Sequence, residues 1–297
     1  PGIFKTLDPD DVMDLNKHDF IVKSGNKTKK LDYYSLFSTQ FDQYGFQQYK
    51  TGSIAEQGFT GAIKYVTADK TPVVYFTEGH EEYSINSDYV NVKDYLDRNN
   101  YEGRHINLLT QEKIPEDGEL LIIGAPKRDF SADETDKIRR YIEDSGGKVI
   151  FMFDYLETDP DFLNLNKLLN KYNVEVNYDR VKENDTQRHW PGTPTAVLLD
   201  VNRYQIFSED FKMLLADSRS VSILKNVKDY IKVTPILQTS DKAVGELIDK
   251  SRGQDIKGPL DIAVAVEYSG GMKPSKLIVM GNAFFITDNA SRQYDSS

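Results

Sequence analysis

The sequence predicts an α/β fold: an open, mostly parallel sheet with helices on both faces, extended at the N-terminal end by a β-hairpin and a helix. From Pro72 onward, short runs that are apolar throughout, such as VVYFT (73–77) and LLIIG (120–124), alternate with amphipathic stretches of helical length. A sheet open to water on one side would show a two-residue alternation; strands apolar on both faces require cover on both sides, as parallel sheets have. The regular strand, helix, strand order adds that successive strands point the same way and leave their C-terminal ends along one edge.

The elements follow in order. DFIVKSG (19–25), a turn at Gly25-Asn26 and KTKKLDYYSLF (27–37) read as a hairpin. SIAE (53–56) has the form of a capping box, and Ala55, Phe59, Ala62, Ile63 and Val66 follow on one stripe, so a helix is expected over 53–67. VVYFT then reads as a strand, SDYVNVKDYLDRN (87–99) as a helix, and HINLLT (105–110) and ELLIIGAP (119–126) as strands. SADETDKIRRYIED (131–144) is a helix opened by a second capping box, Ser131 with Glu134, and ended by Gly146-Gly147, because the left-handed position past a helix costs glycine little. KVIFMFD (148–154) is a strand, DFLNLNKLLNKY (161–172) a helix, and VEVNYD (174–179) a strand. RVKENDTQRHWPGTPTAV (180–197) reads as a long polar loop with the only tryptophan. SVSIL (220–224) and VTPILQTS (233–240) look like strands, DKSRGQDIKGPL (249–260) is turn-rich, and DIAVAVEY (261–268) and KLIVMG (276–281) are closing strands. The expected division is an N-terminal extension, 1–50, and an α/β domain, 51–297.

Composition narrows the function. With 37 basic against 47 acidic residues the net charge is -10, and the basic residues are scattered singly, which argues against nucleic acid as a partner. Zero cysteines remove disulfides, thiolate nucleophiles and cysteine-bound metal. The longest apolar stretch, LIVMGNAFFI (277–286), is about half the length of a membrane-spanning helix. The chain begins with Pro1 rather than Met and shows no signal-peptide pattern, so the expectation is a piece of a longer protein whose membrane segments lie outside it.

In such a sheet ligands bind beyond the C-terminal strand ends, where the sequence places Glu78, Gly79, His80, Glu81 and Glu82, then Ala125, Pro126, Lys127 and Arg128, then Asp154. A catalytic reading makes His80 a general base in a hydrolase or lyase, partnered by Glu81 or Asp154. The competing and preferred reading is a solvated polar loop, because four histidines without ligand spacing do not build a metal site. His80→Ala is expected to leave folding intact. There is no Gly-x-Ser-x-Gly elbow and no glycine-rich phosphate motif, so neither nucleophilic hydrolysis nor a nucleotide cofactor is expected. Trp190 is read with equal weight as a contact for a partner or glycan, together with Tyr83, or as an anchor pinning its loop to the core.

EQGFTGAIKYVT (56–67), VVYFTEGHEE (73–82), ELLIIGAPKRDFSADETDKIRRYIEDSGGKVIFMFD (119–154) and SKLIVMGNAFFITDNA (275–290), in that order, resemble the auxiliary component of ABC-type transport systems of the gliding-motility GldG type. The resemblance spans roughly residues 15 to 292. It implies a sheet like that of flavodoxins and class I glutamine amidotransferases, without the cysteine of amidotransferase chemistry. It further implies a non-catalytic, extracytoplasmic binding or assembly module, tethered by transmembrane helices, whose partners are a permease and an ATPase. A small ligand or a cell-surface glycan is a further expected partner, and no cofactor or metal is expected.

Overall fold

The computed structural model describes residues 5, 8, 13–41, 48–68, 70–157, 161–201, 211–225 and 228–290. Two compact units emerge: residues 1–72 with 93–102, and residues 73–92 with 103–297.

In the first unit, β1 (Phe20–Ser24) and β2 (Lys27–Leu31) form the expected antiparallel hairpin, with Gly25 turning at φ 56°. A 3-10 turn over Tyr34–Leu36 replaces the second half of the strand expected to 37, and leads into an unpredicted second hairpin, β3 (Phe37–Phe41) with β4 (Gln48–Ser53). Helix α1 (Ala55–Thr67) packs on β1 and β2 around Leu31, Leu36 and Ala62. The helix expected to open the second domain completes the core of the first unit instead. The Ser53–Glu56 capping box does not form. Ser53 ends β4 opposite Phe37, so Ile54 holds the N-cap position with no side-chain bond, and Ser53 Oγ only accepts from Ala55 N at 3.3 Å. Ile63 is 52% exposed and lies off the buried stripe.

The second unit opens with β5 (Val73–Thr77), buried along its whole length. The chain then passes through α2 (Val90–Arg98), most of which falls in the first unit, and β6 (Glu102–Ile106) to β7 (Gly118–Gly124), α3 (Ala132–Glu143), β8 (Lys148–Met152), α4 (Leu163–Leu169) and β9 (Val174–Val176). Ten strands complete it: β10 (Asp179–Lys182), β11 (His189–Trp190), β12 (Thr193–Asp200), β13 (Lys212–Ala216), β14 (Val221–Ile223), β15 (Ile231–Gln238), β16 (Val244–Leu247), β17 (Ile256–Lys257), β18 (Asp261–Tyr268) and β19 (Ser275–Met280).

The central sheet has nine strands in the order β6-β5-β7-β8-β19-β18-β14-β9, with β15 also paired to β18. β5, β7, β8 and β19 run parallel. β18 is antiparallel to β19, and β14 and β15 are antiparallel to β18, so both run in the β5 direction and most of the sheet points one way. The α/β expectation holds, with few helices against a large sheet. Leu121, Ile123, Val149, Phe151, Val264 and Val279 are buried in its core.

Local signals succeed where no distant pairing displaces the local bond. At α3 the capping box forms in full: Ser131 Oγ accepts from Glu134 N (3.3 Å) and Glu134 Oε2 accepts from Ser131 N (2.9 Å). Gly146 follows the helix at φ 69°. Helix 87–99 begins late, at Val90, because Ser84 O accepts from the N–H groups of Ser87, Asp88 and Tyr89 and holds that stretch in turns. The strand expected over 105–110 lies instead at 102–106, since Asn107 O accepts from Thr110 N and Gln111 N in a turn. The stretch 180–197 is not a loop: it contributes to β10, β11 and β12, and β12 pairs with both β11 and β13. At the end of the central sheet, Asn166 of α4 accepts from Val176 N (2.9 Å) and donates to Val176 O (3.0 Å), so a side chain satisfies the β9 edge in place of another strand.

Candidate functional site

The strand ends after β5 and β7 meet as expected. Beyond Thr77 the chain turns at Gly79 (φ 118°) and Glu81 (φ 62°), and beyond Gly124 at Ala125 (φ 54°). Lys127 N donates to His80 O (2.8 Å) and Tyr83 N to Gly124 O (3.0 Å), which ties the two loops together. Ser131 and Glu134 then open α3 from the second loop.

His80 is the centre of this arrangement, and it is buried. Its ring stacks on Phe130 with centroids 4.1 Å apart and planes within 12°. Nδ1 lies 3.7 Å from Glu82 Oε1 and Nε2 lies 3.4 Å from Glu134 Oε2, with both carboxylates 1% exposed. Glu82 Oε2 also accepts from His80 N at 2.7 Å, and Glu134 Oε2 from Ser131 Oγ at 2.8 Å. Burial alone would lower the His80 pKa, but Glu82 and Glu134 outweigh it, and the imidazole titrates above its ordinary value of 6.5. Burial likewise opposes ionisation of Glu82, while the bond to His80 and neighbouring donors hold it below its ordinary 4.5. The group is a buried imidazole between two carboxylates, an arrangement that favours its protonated form.

A pH dependence follows. The stabilisation from His80 is fully present below pH 6.5 and is lost as pH rises through the raised native pKa. Glu82 acts in the opposite sense: its contribution is present above pH 4.5 and is lost as pH falls through the lowered native value. Denaturation midpoints of the wild type are therefore expected to fall on the alkaline side of pH 6.5 more steeply than those of His80→Gln. Parallel slopes for the two proteins would contradict the ion pairing.

The partners expected for His80 are not the ones it has. Glu81 is exposed and pairs with Arg128 Nε at 3.3 Å, because the left-handed turn at Glu81 aims it outward. Arg128 also donates to Gly79 O at 3.3 Å. Asp154 follows β8 at the same edge, but its Oδ1 accepts from Ala283 N (2.7 Å) and Phe284 N (3.0 Å) and so holds the segment after β19. Burial raises its pKa, against the pull of those donors and of Tyr83. Glu78 is exposed and sits 3.6 Å from His105 Nδ1, and Lys127 is exposed. Trp190 lies in β11 of the separate β11-β12-β13 sheet and is 41% exposed.

Sequence reasoning missed Glu134 and Phe130, and placed Glu82 at this edge without pairing it with His80. One signal was present: the Ser131–Glu134 box starts its helix directly after the β7 loop, which brings Glu134 to the His80 edge. Among the described residues, no group of three or more acidic or histidine side chains is placed to hold a metal ion.

Residues 71–296 match the model of a family described as an ABC-type uncharacterized transport system, well over half of the chain. The chain belongs to this family of transport-system auxiliary components. The match begins where the second unit of the auxiliary component begins, at the approach to β5. No curated protein matches it. Among solved structures it is similar to one described as mmIFT52 N-terminal domain, at 18% identity and a TM-score of 0.56, covering 75% of this chain and 92% of that one. That likeness shows a shared fold. A ThuA-like protein from Bacteroides uniformis aligns at 13% identity and a TM-score of 0.41, covering 74% of this chain and 86% of that one. Gan42B, a GH42 beta-galactosidase, aligns at 12% identity and a TM-score of 0.38, covering 77% of this chain and 30% of the enzyme. In the auxiliary component, no described helix is long and apolar enough to cross a membrane.

Proposed function

We propose that this auxiliary component is a non-catalytic, extracytoplasmic module of the GldG type with an amidotransferase-like sheet. It binds the permease and ATPase of its transport system and is held at the membrane by transmembrane helices. The observation that carries this reading is the state of His80. A general base needs a lone pair that a substrate proton can reach, whereas here both ring nitrogens face buried carboxylates and one ring face is covered by Phe130. The absence of cysteine supports it, since the amidotransferase nucleophile has no counterpart.

The reading leaves the polar rim of the same edge, with Glu78, Glu81, Lys127 and Arg128 exposed, as a surface for a partner. The full-length protein, tagged and extracted from its own membranes, is expected to bring down the permease and the ATPase, and in intact cells to be cut by added protease. A transporter purified intact without it, or a chain protected from external protease, would overturn the proposal.

A further inference from the structure

A second place at the C-terminal strand ends has a different chemistry. Arg219 N donates to Gly281 O (2.7 Å), directly beyond the end of β19. Its guanidinium lies 5.3 Å from the Phe162 ring, which in turn packs edge-on against Phe153 just beyond β8 at 5.2 Å. Arg219 is 1% exposed. Its Nε donates to Asn177 O at 2.8 Å, and Tyr178 provides a second aromatic ring 5.8 Å away. Held this way, the side chain forms the inner wall of a cavity of about 360 Å³ between α4 and the β9–β10 connection.

The same cavity is lined by Lys167 and Arg252, against the carboxylates of Asp161 and Glu175. Arg252 is fixed at the mouth: its guanidinium covers the Tyr178 ring at 4.4 Å and pairs with Asp161 and with Asp249. Two guanidinium groups and an ammonium thus converge on one concave space, at the sheet edge where open α/β folds take ligands. A guanidinium presents parallel N–H donors that match the two oxygens of a carboxylate or phosphate. Three cations against two carboxylates line this space in a chain whose net charge is -10.

We propose that the cavity bounded by Lys167, Arg219, Arg252 and Tyr178 is a binding site for a small oxyanion-bearing molecule, a carboxylate or a phosphate ester. Arg219 is the preorganised inner anchor. Arg252 exchanges its surface carboxylates for the ligand, and Lys167 supplies the third charge. This site shares no residue with the His80 group or the polar rim beside it, and its failure would leave the assembly role untouched.

The test is titration of the folded chain with inorganic phosphate and, separately, with succinate, followed by calorimetry and by backbone amide shifts. At least one probe is expected to saturate, with the largest shifts around Asn177, Tyr178 and Arg219. Arg252→Gln is expected to weaken binding by about tenfold, in line with loss of a charge-assisted bidentate contact. Lys167→Gln is expected to weaken it severalfold, and Lys276→Gln, outside the cavity, to leave it unchanged. Saturation by phosphate alone assigns a phosphate ester, and by succinate alone a carboxylate. Arg219→Gln removes a buried group that the fold leans on, so the two exposed variants, checked for native circular dichroism, carry the decision. Failure of both probes to saturate, or affinities unmoved by Arg252→Gln and Lys167→Gln, would overturn the site.

Discussion

Gly281→Ala is expected to destabilise the protein by about 3 kcal/mol or more, read as a shift in urea midpoint at unchanged slope. A Cβ at position 281 would stand 1.9 Å from Arg219 O and 2.7 Å from Arg219 C, and both atoms are backbone that cannot rotate away. The contact exists because two segments cross here without side chains between them. Arg219 N donates to Gly281 O (2.7 Å), while Gly281 N donates to Ile262 O (2.8 Å), so the residue bridges the β18 side of the sheet to the segment before β14. Asn282 then donates to Ala216 O at 2.6 Å, and Asp154 receives Ala283 N and Phe284 N. Moving Gly281 outward to seat a methyl group would loosen these bonds together. Met272→Ala, at a side chain 81% exposed, is expected to stay within about 0.5 kcal/mol of wild type. Comparable losses for the two variants would show that the crossing has room to adjust.

His80→Ala is expected to cost about 3 kcal/mol near pH 6, because removing one partner of a buried charged group strands the others. The sequence expectation that the substitution leaves folding intact rested on a solvated loop. In the fold, alanine would leave Glu82 and Glu134 buried without the cation between them, and would uncover the stacked face of Phe130. The diagnostic is recovery: adding Glu82→Gln and Glu134→Gln to His80→Ala removes the stranded charges, and the combined variant is expected to regain part of the loss. Glu134→Gln also tests the helix start, since Glu134 Oε2 accepts from Ser131 N. If His80→Ala costs no more than the lost ring packing at both pH 6 and pH 9, the ion-pair account fails.

The sheet was legible because burial on both faces leaves short, continuous apolar runs rich in β-branched and aromatic residues and bounded by turn signals. VVYFT, LLIIG and DIAVAVEY needed only their own residues to be read as strands. The second capping box was legible for the same reason: Ser131 and Glu134 satisfy each other three residues apart. Its twin at Ser53 failed because pairing with Phe37 competed for the residue, a contact sixteen positions away that no local rule weighs. The 180–197 stretch failed likewise, since a polar strand such as Asp179–Lys182 takes its identity from the partner strand Val244–Leu247 rather than from its own composition.

The sequence by itself determined the class of fold, the edge at which its polar loops gather, and the absence of a thiol for amidotransferase-type chemistry. Which groups at that edge face one another was decided only by the tertiary structure. Glu134 reaches His80 across fifty-four positions, Asp154 serves the Ala283 and Phe284 amides, and Arg219 enters a cavity with Arg252. The physical reason is range. Burial and capping act between near neighbours and imprint a period on the chain, whereas an ion pair depends on where distant loops converge, which a periodic pattern does not encode.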